Sequence, residues 1–180
     1  MKPWSKLLVL ATFVLLSCWG CEVFPLPTAP TPPSGPPYNE PKPVPAAPIS
    51  IAEVTLETNK ERRENGQNLL AENQKLNLAA DFKMRDMFTR QYFNHYAPDG
   101  TSGIQELLVR FDYSYMMAGE NLAFGNFRSA RELVEGWMAS PGHRANILNS
   151  SYRDIGVAAG YDVFEGRKTI IAVQIFGAPR

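Results

Sequence analysis

The stretch KTIIAVQIF, residues 168–176, decides the fold of this 180-residue chain. Its run of β-branched and aromatic residues predicts a strand. Because side chains alternate along a strand, its apolar residues occupy both faces, with Ile171, Val173 and Ile175 pointing opposite to Ile170, Ala172 and Phe176. A strand that is apolar on both faces predicts helices above and below its sheet. We therefore expect an α+β fold, an α-β-α sandwich.

The segment before this strand predicts its partner in the sheet. In DIGVAAGY, residues 154–161, the larger side chains recur at every second position. Glu165 and Gly166 fall between the two segments and predict a turn. A small, mainly antiparallel sheet between helices is expected, and no internal repeat is visible.

Start signals predict the helices that cover the sheet. Ser50 and Glu53 form a capping box, and the helix that they begin runs toward Gly66. Apolar residues at helical spacing predict a second helix over about residues 73–90.

Two more capping pairs predict a third and a fourth helix. Ser102 with Gln105 begins the third helix, and Ser129 with Glu132 begins the fourth. Trp137 lies on the apolar face of the fourth helix, so we expect it in the core.

SPGHRANIL, residues 140–148, predicts a fifth helix with a histidine in its first turn. Ser140 suits the N-cap, Pro141 the first helical position, and His143 is third. The positive end of the helix dipole disfavours protonation there, so a neutral imidazole is expected. Such an imidazole either forms a hydrogen bond in the first turn, or binds a metal or accepts a proton.

Two further residues are candidates for the same site. His95, the only other histidine, lies in YFNHYAPDG in a loop before the turn signal at residues 99–100. Glu120 is a carboxylate among apolar neighbours, followed by a possible strand. Their spacing is no metal signature, although two histidines and a glutamate are a known catalytic zinc set.

The N-terminus predicts export. Residues 1–17 have a basic start and a ten-residue apolar run that is too short to span a bilayer. LLSC, residues 15–18, resembles a lipoprotein processing site in which Cys18 takes the lipid. Cys21 is a rival with a poorer preceding sequence. The alternative is an ordinary secreted protein whose two cysteines pair or stay free.

Composition defines the remaining domains. Residues 22–48 hold 11 of the 15 prolines, so residues 18–49 are expected to be a lipid-anchor cysteine and a disordered Pro-rich linker, a semi-rigid spacer. A docking site for a proline-reading partner is the alternative. Residues 50–180 form one domain without cysteine, whose 15 basic and 16 acidic residues show no basic block. Nucleic acid is therefore not an expected partner.

Six ordered motifs resemble the CAP superfamily, and its bacterial SCP-like branch in particular. They are TNKERRENG, YFNHYAPDG, GENLAFG, GWMASPGHRANIL, DIGVAAGY and VQIFG, and the resemblance covers about residues 51–177. It implies an α-β-α sandwich with a central cleft that holds two histidines and acidic residues.

Residue by residue, the resemblance implies a cleft of His95, Glu120 and His143. All three would be ligands of Zn²⁺ or another divalent cation. Ser140 stands where eukaryotic members place a second glutamate, so the resemblance implies a three-residue site in place of a four-residue one. Asn59, Arg62, Arg144 and Asn146 also match motif positions, and we expect scaffold hydrogen bonds from them.

Two functions follow from this resemblance. The favoured one is a non-enzymatic binding module, anchored to the outer membrane or cell surface or else secreted, that takes an envelope or lipid-like ligand. The alternative is a metal-dependent, peptidase-like hydrolase with Glu120 as its catalytic base. Neither a G-x-S-x-G nor an H-E-x-x-H motif is present to support a standard hydrolase.

Overall fold

The computed structural model describes Ala47 and residues 49–180. The expected signal peptide, Cys18, Cys21 and most of the Pro-rich segment lie outside the described residues, so those expectations stay predictions. Among the residues described, no helix is both long and apolar enough to cross a membrane.

Five helices and four strands make up the described part of the chain. In chain order they are α1 (Ile51–Glu64), β1 (Ala71–Glu72), α2 (Gln74–Arg90), α3 (Ile104–Arg110), β2 (Tyr115–Gly125), α4 (Ala130–Ala139), α5 (Pro141–Ile147), β3 (Asp154–Phe164) and β4 (Arg167–Pro179).

The strands form one sheet in the order β1-β3-β4-β2. β4 is antiparallel to both β3 and β2, whereas the two-residue β1 is parallel to β3. Phe164 pairs with Arg167, and Glu165 and Gly166 make the turn with φ angles of 49° and 77°. The predicted hairpin and the mainly antiparallel sheet are both confirmed.

The core is divided by the sheet into two layers, as the alternation in β4 predicts. On one face Ile171, Val173 and Ile175 pack with buried residues of α2 and α3: Leu76, Phe82, Met84, Met87, Leu107 and Leu108. On the other face Ile170, Ala172 and Phe176 pack with residues of α1, α4 and α5: Val54, Leu133, Trp137 and Ile147. The α-β-α sandwich is therefore confirmed.

Three of the predicted helix starts are confirmed by their caps. The side chains of Ser50, Asn73 and Ser129 each accept a hydrogen bond from a backbone N–H in the first turn of α1, α2 and α4, at 3.3, 3.0 and 3.2 Å. Such caps satisfy backbone donors that have no partner within the helix.

Two expectations are corrected. Ser102 does not cap α3: the N-cap is Gly103, and Ser102 has a φ of 56°. An N-cap residue has an extended backbone, which this φ excludes, and the carbonyl of Ser102 instead accepts a hydrogen bond from Lys83. The strand expected after Glu120 begins earlier, at Tyr115. Its first part carries the exposed Met116 and Met117 and shows no apolar alternation, so the sequence pattern does not predict it.

Candidate functional site

His95 and Glu120 are brought into direct contact by the fold. Glu120 lies in β2 opposite Ile175 of β4, so it faces α2 and α3. Its side chain is 3% exposed, and Oε1 lies 2.7 Å from Nδ1 of His95. This hydrogen bond is the main cause that raises the pKa of His95, and burial opposes it. The buried carboxylate therefore favours a proton on Nδ1 and leaves Nε2 of His95 for a ligand.

The other carboxylate oxygen of Glu120 is exceptional. Oε2 is buried and has no hydrogen-bond partner among the residues that the structure describes. Buried polar atoms in folded proteins almost always have a partner. Oε2 is thus an acceptor that a cation, a water molecule or a ligand donor could satisfy.

His143 reaches the same region from the opposite layer. It is the third residue of α5, as its sequence predicts. Its pKa is lowered, chiefly by burial and then by repulsion from His95. The direction agrees with the expected neutral imidazole, and burial is the main cause. Ser140 precedes α5 as its N-cap and makes no side-chain capping bond.

β2 holds both halves of the site. Successive side chains of a strand point to opposite faces, so Asn121 faces α5 while Glu120 faces His95. Nδ2 of Asn121 donates to the carbonyl of His143 at 3.2 Å. Nδ2 of Asn146 donates to Oδ1 of Asn121 at 2.9 Å and to the carbonyl of Glu120 at 3.1 Å. The expected scaffold role of Asn146 is confirmed.

A buried polar chain continues from Asn121 into α1. Nδ2 of Asn121 also donates to Oε1 of Gln174 at 3.1 Å, and Nε2 of Gln174 donates to Oγ1 of Thr58 at 2.8 Å. Thr58 in turn donates to the carbonyl of Val54 at 2.7 Å. Sequence reasoning missed this series of hydrogen bonds, although Gln174 is the one polar residue between apolar neighbours in residues 170–176.

Lys83 is the second residue that sequence reasoning missed. It is fully buried in α2, and its Nζ donates to the carbonyls of His95 and Ser102, both at 2.9 Å, and to the hydroxyl of Tyr92 at 3.2 Å. Burial lowers its pKa, and the nearby charge of Glu120 opposes that shift. Lys83 therefore fixes the backbone of the loop that carries His95.

The remaining motif residues act as scaffold, as expected. The side-chain amide of Asn59 exchanges hydrogen bonds with the backbone of Leu70 at 2.8 and 2.9 Å. Arg62 is buried and donates to the carbonyl of Ile147 at 2.6 Å, which ties α1 to the end of α5. Arg144 bonds the side chain of Asn65 at the end of α1.

The donors at this site suit a divalent metal in kind. Nε2 of His95, the imidazole of His143 and Oε2 of Glu120 are nitrogen and oxygen donors of the type that Zn²⁺ prefers. Across Ala47 and residues 49–180, however, no three His, Cys, Asp or Glu side chains lie close enough together to form a ready metal cluster.

The fold and the site together define a class of protein, an α-β-α sandwich. In it the edge strand β2 contacts the first histidine on one face of the sheet and the helix that carries the second histidine on the other face. The model of the CAP family, described as the cysteine-rich secretory protein family, matches residues 56–176. The chain therefore belongs to the CAP family.

Several relatives share this domain. The chain is 38% identical over 116 residues to the uncharacterized protein YkwD of Bacillus subtilis (strain 168), covering 62% of this chain and 44% of that protein. It is 38% identical over 72 residues to the uncharacterized membrane protein YlbC of the same organism, covering 40% of this chain and 20% of that protein. The chain thus spans less than half the length of these curated relatives.

Solved structures agree with the fold. An extracellular protein containing a SCP domain from Bacillus anthracis matches with a TM-score of 0.59 at 30% identity, covering 70% of this chain and 39% of that chain. An outer surface protein from Borrelia burgdorferi matches with a TM-score of 0.62 at 22% identity, covering 72% and 92%. At that identity the second match bears on the fold alone.

Proposed function

We propose that this protein is an exported CAP-domain binding module whose cleft of His95, Glu120 and His143 holds a divalent cation such as Zn²⁺. The observation that carries the proposal is the 2.7 Å contact between Nδ1 of His95 and the buried carboxylate of Glu120. A carboxylate bonded to one nitrogen of a histidine orients the ring and makes the other nitrogen a better metal ligand.

The pKa direction of His143 and the orientation of Glu120 support the same role. Burial keeps His143 in the neutral form that binds metals. Oε1 of Glu120 bonds Nδ1 of His95, so an ion on Nε2 lies across the ring from this carboxylate, and Glu120 acts through the histidine. A bound cation would supply a Lewis-acidic centre at which the cleft could hold an anionic group of an envelope or lipid-like ligand.

Export and anchoring belong to this proposal. The signal-like residues 1–17 and the cysteine of LLSC support lipidation at Cys18. The relative from B. anthracis is an extracellular protein. The Pro-rich residues 22–48 would then hold the domain away from the membrane, because proline-rich segments are extended and semi-rigid.

Metal binding is tested by calorimetry with Zn²⁺ at pH 7.5 on the wild-type protein, His95→Ala, His143→Ala and Asn94→Ala. The last is the matched control, since Asn94 is an exposed neighbour of His95 in the same loop. Each histidine change should weaken binding at least about tenfold, the usual effect of removing a ligand or its partner, and Asn94→Ala should not. Binding that ignores both histidines, or no binding by the wild type, overturns the metal proposal.

The alternative function is a metal-dependent hydrolase, and the free Oε2 of Glu120 is the observation that favours it. A carboxylate oxygen without a donor can accept a proton from a metal-bound water. Casein hydrolysis by zinc-loaded wild type and by Glu120→Gln tests this. Hydrolysis that is lost in Glu120→Gln while zinc is retained supports the hydrolase. Wild-type activity no higher than that of zinc alone excludes peptidase action and leaves the binding module.

A further inference from the structure

A separate groove lies where β2 ends and the β3–β4 hairpin continues. Its volume is about 430 Å³, and Phe124, Phe164, Arg167 and Lys168 are among the residues that line it. Phe124 is four residues beyond Glu120 on the same face of β2, about 13 Å along an extended strand. Small-molecule sites are usually concave and have volumes of about 300–1,000 Å³.

One wall of the groove is an unpaired strand edge. The last pair between β2 and β4 joins Gly125 to Ile170. β4 extends three residues further, over Arg167–Thr169, and these pair only with β3. Three residues are too few for an added strand, so these backbone groups are available to a small polar ligand rather than to an extended peptide.

The aromatic ring of Phe124 lines the groove and is packed against two other rings. Phe124 is 53% exposed, although it is a large apolar residue. The ring of Phe93 packs edge-on against it at 4.8 Å between centroids, and the buried Phe164 packs at 5.9 Å. Contacts on two sides fix the ring and leave a rigid apolar face toward the groove.

The charges at the rim are free. No ion pair or hydrogen bond joins Arg167 or Lys168 to another side chain within residues 49–180, whereas Arg128 and Arg131 are paired along their own helix. Glu165 also lines the groove, so the net charge of its lining is positive by one. An unpaired cationic rim beside an apolar ring is complementary to a ligand that has a flat apolar face and a negative charge.

The wall of the groove is also fixed before any ligand binds. Nε2 of Gln91 donates to the carbonyl of Val163 at 3.0 Å, and the backbone N–H of Glu165 donates to Oε1 of Gln91 at 2.9 Å. The hairpin tip is thereby held to the loop after α2. A preformed wall lowers the entropic cost of binding.

We propose that this groove binds an acidic saccharide, with a sugar ring against Phe124 and its carboxylate at Arg167, which lies on the same face of the sheet as Phe124. Its concave shape favours a small ring-bearing ligand over a membrane surface, which meets apolar side chains that protrude. The proposal does not depend on the metal cleft, since none of the three cleft residues lines the groove.

The test is an NMR titration of the full-length protein with a galacturonic acid trisaccharide and with the neutral galactose trisaccharide. Amide shifts should concentrate at residues 124–126 and 164–169, and the acidic sugar should bind at least about threefold more tightly. Arg167→Gln should weaken binding about two- to fivefold, the range for exposed charge pairs, whereas Lys168→Gln, on the opposite face of β4, should weaken it less. Phe124→Ala should weaken it about two- to tenfold, the range for aromatic packing.

Two control variants make the test specific. Arg63→Gln removes an exposed charge from α1, and Met116→Ala truncates a more exposed apolar side chain of β2; neither should change binding. Equal binding of the neutral sugar overturns the proposal, as does equal binding of inorganic phosphate, which means an anion site only. A third result also overturns the proposal: the protein binds anionic phosphatidylglycerol vesicles through Phe124 and does not bind the sugar. That result indicates a membrane contact.

Discussion

The buried ammonium of Lys83 donates a hydrogen bond of 2.9 Å to the carbonyl oxygen of His95. The same nitrogen bonds the carbonyl of Ser102 and the hydroxyl of Tyr92. One side chain of α2 thus holds both ends of the loop that presents His95 to Glu120. The position of the imidazole is set from inside the core.

Replacing this lysine should loosen that loop. Lys83→Met removes the donor of three acceptors, two of them buried, and each buried one should cost about 1–3 kcal/mol. Urea unfolding should therefore show a loss on the order of 3 kcal/mol. Hydrogen exchange at the amide of Ala97, which bonds Thr101, should accelerate. Lys75→Met is the matched control on the same helix: its exposed pair with Asp112 should contribute less than about 1 kcal/mol. Equal losses of unfolding free energy in the two variants would refute this role of Lys83.

The two histidines should titrate on opposite sides of the ordinary value of 6.5. The pKa of His95 is raised, so its interaction stabilises the fold fully below pH 6.5, and this contribution is lost as pH rises through the raised pKa. The pKa of His143 is lowered, so stability is lost as pH falls from 6.5 through the lowered value. NMR titration of both imidazoles, assigned with the single alanine variants, checks the order. A higher pKa for His143 than for His95 contradicts it.

Gly156 should not tolerate a side chain. A Cβ at this position in β3 would lie 2.1 Å from the carbonyl carbon of Leu76 at the start of α2. Gly156→Ala should therefore cost about 1–3 kcal/mol or more, as overpacking does.

Gly136 is the matched control for this change, because a Cβ there meets nothing within 4 Å. It lies within α4, so Gly136→Ala should stabilise the protein by about 0.5–1 kcal/mol. Thermal unfolding of both variants measures the difference. Similar melting temperatures would mean that α2 does not pack directly on β3.

Trp137 should be a core anchor of α4. It is 2% exposed, and its Nε1 donates to the carbonyl of Leu122 at 3.2 Å. Trp137→Ala should cost about 3–5 kcal/mol. Trp137→Phe keeps a ring but removes the donor, so it should cost about 1–3 kcal/mol. Denaturant unfolding measures both variants. A loss below about 1 kcal/mol for Trp137→Ala would mean that Trp137 is not a core anchor.

The anchor prediction concerns residues outside the described part of the chain. Cys18→Ala should release the protein from membranes or block its processing, whereas Cys21→Ala should leave it membrane-bound. Fractionation of cells that express each variant gives the answer. Normal maturation with retained membrane association in Cys18→Ala would exclude Cys18 as the lipidated residue.

Much of the fold could be predicted from the sequence because its signals are local. The two apolar faces of residues 168–176 imply helices on both sides of the sheet, and Ser50 and Ser129 mark helix starts by their own side chains. The six motifs in order indicate the family, and the family model covers residues 56–176. Local pattern failed at Ser102, which has a left-handed backbone and leaves the N-cap of α3 to Gly103.

The sequence by itself determined the layers, the hairpin and which residues are candidates for the cleft. Only the tertiary structure decided which nitrogen of His95 meets Glu120 and that Lys83 is buried beneath the loop. Lysine is almost never fully buried unless it is paired, so the position of Lys83 on α2 did not predict its burial. Its three acceptors come from residues 9 to 19 positions away, and only folding brings them together. Periodicity records which face a side chain occupies, whereas contacts across the sheet edge and between loops depend on how the layers pack.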